Sequence, residues 1–234
     1  MLLETKNITS GYGQIEIVHD VSIKVKEAEV LAIVGRNGVG KTTLIKTLIG
    51  ALPALNGDIY FKDENITHKK SHERARIGIG YVPQGRGIFS TLTVKENLYM
   101  GHRINDGLIQ AADYERIYRY FPILKERGSQ MAGSFSGGQQ QQLALGRALL
   151  GNPSLLLLDE PSEGIQPNVV RDMGLLLRSL RTEDHLTVIV VEQNLELIRL
   201  MADRCIVIDK GVVVAELQAE ELADPDVARR YLAI

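Results

Sequence analysis

The chain has 234 residues, 44% of them apolar and 24% charged, with a formal net charge of −2. That length suits one domain, or one core carrying a smaller subdomain, and is long enough to bury a core without disulfides or a structural metal. The composition excludes disorder, and the slightly acidic balance excludes a protein built around a nucleic-acid backbone, which takes clustered excess Lys and Arg to neutralise.

The opening residues Met1 to Lys6 hold neither a basic segment nor a long apolar one, so no secretion signal is expected. Leu2 to Ile8 reads as a strand. Val18 to Val25 reads as a second, with Val21, Ile23 and Val25 alternating with polar residues, which predicts a sheet half exposed to solvent. Val30 to Val34 is a continuous apolar run, the pattern of a strand buried on both faces of a parallel sheet, and Leu155 to Leu158 and Val188 to Val191 repeat it. Two kinds of sheet are therefore expected. The basic stretch from His68 to Arg76 lacks interleaved aromatics and reads as a solvated helix and loop face.

From about Ile88 to Asn152 helical patterns replace strands, with Tyr114, Ile117, Tyr118 and Phe121 on one face. This predicts a helical subdomain, residues 88–152, inserted into a core made of residues 1–87 and 153–234. The lone Cys205 lies in the apolar run Cys205 to Ile208 and reads as a packed small hydrophobe. Ile206 to Val214 reads as a hairpin around Lys210-Gly211, followed by a short polar helical tail. No apolar run approaches the roughly 20 residues that span a bilayer, so this chain is not expected to cross a membrane.

Gly35-Arg36-Asn37-Gly38-Val39-Gly40-Lys41-Thr42 follows a buried strand and precedes an apolar helical run, the context in which G-x-x-x-x-G-K-[ST] binds phosphates. The glycines let backbone N–H groups face an anion at a helix N-terminus. Lys41 brings a point charge and Thr42 a hydroxyl for Mg²⁺. This motif leaves GTPase, kinase and ATPase open. Ser136-Gly137-Gly138-Gln139 opens a second helix as an anion site without a Lys. Shortly after it, Leu155 to Leu158 ends in Asp159 and Glu160, a carboxylate pair suited to holding Mg²⁺ through water and to deprotonating a water.

With these motifs in this order, the chain resembles the ABC-transporter ATPase family over essentially its whole length. The resemblance implies an α/β fold: a P-loop NTPase, RecA-like parallel-sheet core with an N-terminal antiparallel β subdomain and an inserted α-helical subdomain. It implies ATP and Mg²⁺ as cofactors, Gly35 to Thr43 as the phosphate loop, Tyr12 stacking on adenine, and Thr42, Gln84 and Asp159 at the metal. Glu160 looks like the catalytic glutamate, Ser162 to Ile165 like the loop that follows it, and Ser136, Gly137, Gly138 and Gln139 like the signature that caps ATP from a second subunit. Phe135 stands where Leu is commoner. Gln193 stands where the family usually has a switch histidine, and an amide donates a hydrogen bond but carries no charge at neutral pH.

The same resemblance implies a homodimer, or a heterodimer with a paralogous ATPase subunit, peripheral on the cytoplasmic face of the plasma membrane. Two membrane permease subunits would sit above it and a periplasmic solute-binding protein would act indirectly, with no nucleic acid involved. Within the importers, Gln193-Asn194 after Val191-Glu192 resembles the branched-chain (hydrophobic) amino-acid family. Gly35 to Gly40, Val82 to Arg86, Gln139 to Gln142 and Glu163 to Pro167 look more like its urea and short-amide branch. The alternative, an ABC-family ATPase working on DNA or translation, resembles longer chains with coiled-coil insertions or tandem nucleotide domains.

Overall fold

The computed structural model describes the whole chain except residues 103–109, 225, 228 and 230–234. β1 (Leu3–Tyr12) and β2 (Ile15–Val25) form an antiparallel pair, and β3 (Val30–Val34) leads through the glycine-rich loop into α1 (Lys41–Leu48). β4 (Ala54–Phe61) and the short β5 (Glu64–Asn65) complete a sheet in the order β2-β1-β4-β5. α2 (Ser71–Arg76) and β6 (Ile79–Val82) follow. Then come α3 (Val94–His102), α4 (Ala111–Tyr120), α5 (Pro122–Glu126) and α6 (Gly137–Leu150). The chain returns through β7 (Leu155–Asp159), α7 (Pro167–Glu183), β8 (Thr187–Val191) and α8 (Leu195–Met201) to β9 (Arg204–Asp209) and β10 (Val212–Gln218). The second sheet runs β10-β9-β3-β8-β7-β6, parallel throughout except for the β10–β9 hairpin.

The continuous apolar strands are explained by two cores, one on each face of this second sheet. Successive side chains point to opposite faces of a strand. Val30, Ala32 and Val34, with Leu156, Leu158, Val188 and Val190, pack toward the helical layer that includes Leu98, Leu143, Leu145 and Leu177. Leu31 and Ile33, with Leu155, Leu157, Ile189 and Val191, pack toward α1 and the antiparallel sheet, against Leu44, Leu48, Val21 and Phe61. Both faces are covered, so every position is apolar. The β9–β10 turn has Lys210 and Gly211 in left-handed conformations (φ 46° and 80°), as a two-residue hairpin needs. Cys205 is buried and its thiol is pushed up to about 12, chiefly by burial.

Several elements differ from the sequence-based expectation. β1 continues to Tyr12 through register shifts, which break the alternation that marks a strand. β4 and β6 were not expected. Gly57, at φ 84° beside a register shift, interrupts the first, and Gly80 removes an apolar position from the second. Near the C-terminus, Ala219–Ala223 form a short 3₁₀ turn, and the helical tail expected after it lies largely outside the described residues.

The basic stretch is the solvated face expected of it at His68, Lys70, His72 and Arg76, which are exposed, but not at Arg74. Arg74 is fully buried, and its guanidinium donates to the carbonyls of Thr47 (2.8 Å), Leu48 (2.8 Å), Thr67 (2.8 Å) and Lys69 (2.9 Å). Thr47 and Leu48 end α1, so the cation caps carbonyls at the negative end of that helix dipole. Burial lowers its pKa to about 10, still above neutrality. Arg74→Ala strands several buried acceptors and should lower the unfolding free energy by about 3 kcal/mol. Arg74→Lys, which keeps the charge but not the planar fork, should restore only part of it. Denaturant unfolding measures both.

Candidate functional site

The loop between β3 and α1 is shaped by two glycines that admit no side chain. Gly35 has φ 147°, and a Cβ there would lie 2.2 Å from the carbonyl oxygen of Ile208; Gly40, capping α1, has φ 106°. Lys41 is buried, and its Nζ donates to the carbonyls of Gly35 and Arg36 at 2.8 Å each. An ammonium has three N–H donors, so one remains for an anion inside the loop. Burial lowers the Lys41 pKa against the opposing pull of Glu160, Asp159 and Glu192.

Thr42, in the first turn of α1, has its hydroxyl 3.1 Å from Oδ1 of Asp159, the last residue of β7. Asp159 is buried, its other carboxylate oxygen has no hydrogen-bond partner among the described residues, and burial raises its pKa, partly offset by the Thr42 bond. A buried carboxylate oxygen without a donor, beside a hydroxyl and a phosphate loop, suits a hydrated divalent cation that arrives with a nucleotide.

Glu160 follows in a left-handed conformation (φ 49°), uncommon for a residue with a side chain and frequent where geometry serves chemistry. Amides from separate loops hold its carboxylate: Gln193 Nε2 donates to Oε1 at 2.9 Å, and Gln84 Nε2 to Oε2 at 3.3 Å. Gln193 Nε2 also lies 2.7 Å from Oδ1 of Asn37 in the phosphate loop, and Gln84 Nε2 lies 3.1 Å from Oε2 of Glu163. Gln193 is therefore tied to the phosphate loop and to Glu160 together.

A cleft of about 430 Å³ opens here, lined by Tyr12, Asn37, Lys41, Thr42, Gln84 and Glu160 among others, within the size range of small-ligand sites. Tyr12, at the end of β1, is 46% exposed. Ser136 to Gln139 are not among the lining residues. Ser136 caps α6 in a capping box with Gln139: its hydroxyl accepts from Gln139 N (3.4 Å), and Gln139 Oε1 accepts from Ser136 N (3.1 Å).

Two participants figure in the sequence only as marks of the importer subfamily, with no role in the site assigned to them. Arg86, at φ 71°, donates from Nη2 to the Glu163 carbonyl (3.2 Å) and from Nη1 to Oε1 of Gln140 on α6 (3.4 Å). Glu192 is buried behind the site and accepts three backbone N–H groups. An acidic residue closing the apolar run Val188 to Val191 was the available hint for the second.

A phosphate loop, a magnesium-competent aspartate and a held glutamate at the ends of parallel strands define a nucleotide hydrolase. The ABC transporter family profile matches residues 18–163. BraG of Pseudomonas aeruginosa, a high-affinity branched-chain amino acid transport ATP-binding protein, is 41% identical over 99% of this chain and 99% of its own. LptB of Escherichia coli K12, a lipopolysaccharide export system ATP-binding protein, is 35% identical over 98% of this chain and 96% of its own. Among solved structures, the ADP conformation of MJ1267, an ATP-binding cassette of an ABC transporter, superposes with a TM-score of 0.83 at 30% identity, covering 97% of each chain. A dimeric post-hydrolysis state of the cassette MJ0796, bound to ADP and Pi, gives 0.84 at 25% identity, covering 93% of this chain and 99% of that one. The chain belongs to the ABC transporter ATP-binding family and is an ATPase.

Lys41→Ala should weaken the binding of a triphosphate by about 1.5–3 kcal/mol, an affinity loss of about 10- to 100-fold, as expected for loss of a charge-assisted contact. Titration with ATP checks it, and unchanged affinity removes Lys41 from the phosphate site.

Proposed function

We propose that this chain powers an importer of the branched-chain amino-acid uptake family, hydrolysing ATP as one half of a twofold dimer on the cytoplasmic side of separate membrane subunits. The observation that carries the dimer is the separation of the two anion sites: the phosphate loop lines the cleft, while Ser136 to Gln139 do not. Each ATP is then a bridge, held by residues 35–43 of one subunit and capped at its γ-phosphate by Ser136, Gly137 and Gly138 of the other, an isologous arrangement. The dimeric MJ0796 structure supports it. The mate is a second copy or a paralogous subunit; P. aeruginosa BraF, 31% identical to this chain, shares with BraG the description of a branched-chain amino acid transport ATP-binding protein.

Within each site Tyr12 stacks on adenine, a contact worth roughly 1–3 kcal/mol. Lys41 and the loop N–H groups bind the phosphates. Thr42, Asp159 and Gln84 would hold Mg²⁺, which supplies charge neutralisation at the β- and γ-phosphates. Glu160, held by two amides, orients a water and accepts its proton. Gln193 holds Glu160 through one N–H, and the other, given to Asn37 here, turns to the γ-phosphate when ATP is bound.

The name of BraG supports a branched-chain amino-acid substrate; the motif likeness to the urea and short-amide branch is the second reading. Ligand titration of the binding protein from the same transporter separates the two.

Glu160→Gln keeps the shape and removes the base, so turnover should fall by roughly 10²–10⁴ and ATP-bound dimers should accumulate. In sedimentation this variant with ATP should show about twice the monomer mass, and with ADP the monomer. Adding Ser136→Arg should abolish the dimer without loss of ATP binding. A monomer with ATP in Glu160→Gln, or a dimer indifferent to Ser136→Arg, overturns the bridged-site reading.

A further inference from the structure

Glu192 takes no part in the chemistry above, yet it is buried where two loops of the site meet. Its Oε1 accepts from the backbone N–H groups of Gln193 (2.7 Å) and Asn194 (2.9 Å), and its Oε2 from that of Ser162 (3.2 Å). Its own N–H donates to the carbonyl of Ile33 at the end of β3 (3.2 Å). One residue thus gathers the site: its side chain joins the loop that carries Gln193 to the loop after Glu160, and its backbone meets the strand that feeds the phosphate loop.

The geometry points to Glu192 as a positioning residue for ATP hydrolysis: by holding the N–H groups of Gln193 and Ser162 on the two oxygens of one carboxylate, it sets the Gln193 amide against Glu160 and fixes the start of the Ser162–Ile165 loop. The residue type follows from the donors. Three N–H groups converge from two sides, and an ionised carboxylate accepts on both oxygens, whereas an amide accepts on one side and donates on the other. Glu192→Gln therefore sets an NH₂ group against an N–H on one side or the other, and one loop loses its anchor.

Displacement of an aligned group by about 1 Å can lower turnover a hundredfold, so Glu192→Gln should reduce kcat by about 10- to 100-fold. ATP affinity, set at the phosphate loop, should stay within about threefold of the parental value. A residue that merely stabilises the fold would lower both together. The distinguishing measurement is a double-mutant cycle with Gln193→Ala: if Glu192 acts through Gln193, the combined loss in kcat is smaller than the product of the separate losses.

The inference rests on the ATPase reading, which parental turnover and its loss in Glu160→Gln check separately. Parental kcat in Glu192→Gln, parental kcat in Gln193→Ala, a parallel loss of ATP affinity in a folded variant, or a cycle in which the losses multiply would each overturn it. If Glu192→Gln does not fold by circular dichroism, Glu192→Asp replaces it in the same cycle with the same readings.

Discussion

The parallel pairing of β3, β8, β7 and β6 is the constraint from which the site follows. In that register Ile33 and Asp159 both lie opposite Val191, and Val82 lies opposite Leu158. The strands consequently end together at one edge. The phosphate loop leaves from β3, Asp159 and Glu160 end β7, Glu192 and Gln193 follow β8, and Gln84 follows β6. Ligand sites of open α/β sheets lie at the carboxyl ends of their strands for this reason. A shift of one residue in any pair would turn the apolar side chains of that strand to the wrong core and withdraw its loop from the cleft.

The edge so formed carries an imbalance of charge. Lys41 faces Asp159, Glu160 and Glu192, which together oppose the lowering of its pKa by burial. The protein keeps the carboxylates close by placing amides and backbone N–H groups on them rather than further cations: Gln193 and Gln84 on Glu160, and three N–H groups on Glu192. Neutral donors satisfy the carboxylates without cancelling the negative field at this edge. Gln193 suits this arrangement in place of histidine, because its amide bridges Asn37 and Glu160 without a titration near neutral pH.

Helix α6 is strapped to this edge through the segment after β6. Arg147 on α6 donates to the Gly87 carbonyl at 2.7 Å and stacks on Phe89, while Arg86 reaches Gln140 on α6 and the Glu163 carbonyl. The segment that holds Gln84 against Glu160 is thereby tied to α6, which begins at the Ser136 cap. The contacts run through a few long polar side chains at the margin of the apolar core.

Much of this was legible in the amino-acid order, because its signals are local. The glycine spacing before Lys41 encodes a backbone path that side chains cannot follow, and unbroken apolar runs encode burial on two faces. Asp159 and Glu160 stand out as carboxylates that close such a run, and Ser136 with Gln139 spells its own cap. Relations between distant segments were not legible. Nothing near Arg74 in sequence says that the end of α1 lies beside it, so a buried cap read as a solvated charge. β4 and β6 were hidden because Gly57 and Gly80 interrupt the apolar pattern and only pairing with β1 and β7 makes them strands. Likewise Glu192 became part of the site only when folding brought Ser162 and Gln193 to its two oxygens. Local sequence determined which residues could bind phosphate, cap a helix or form a buried strand; tertiary structure decided which polar groups share a hydrogen bond, since that depends on strand register rather than on sequence separation.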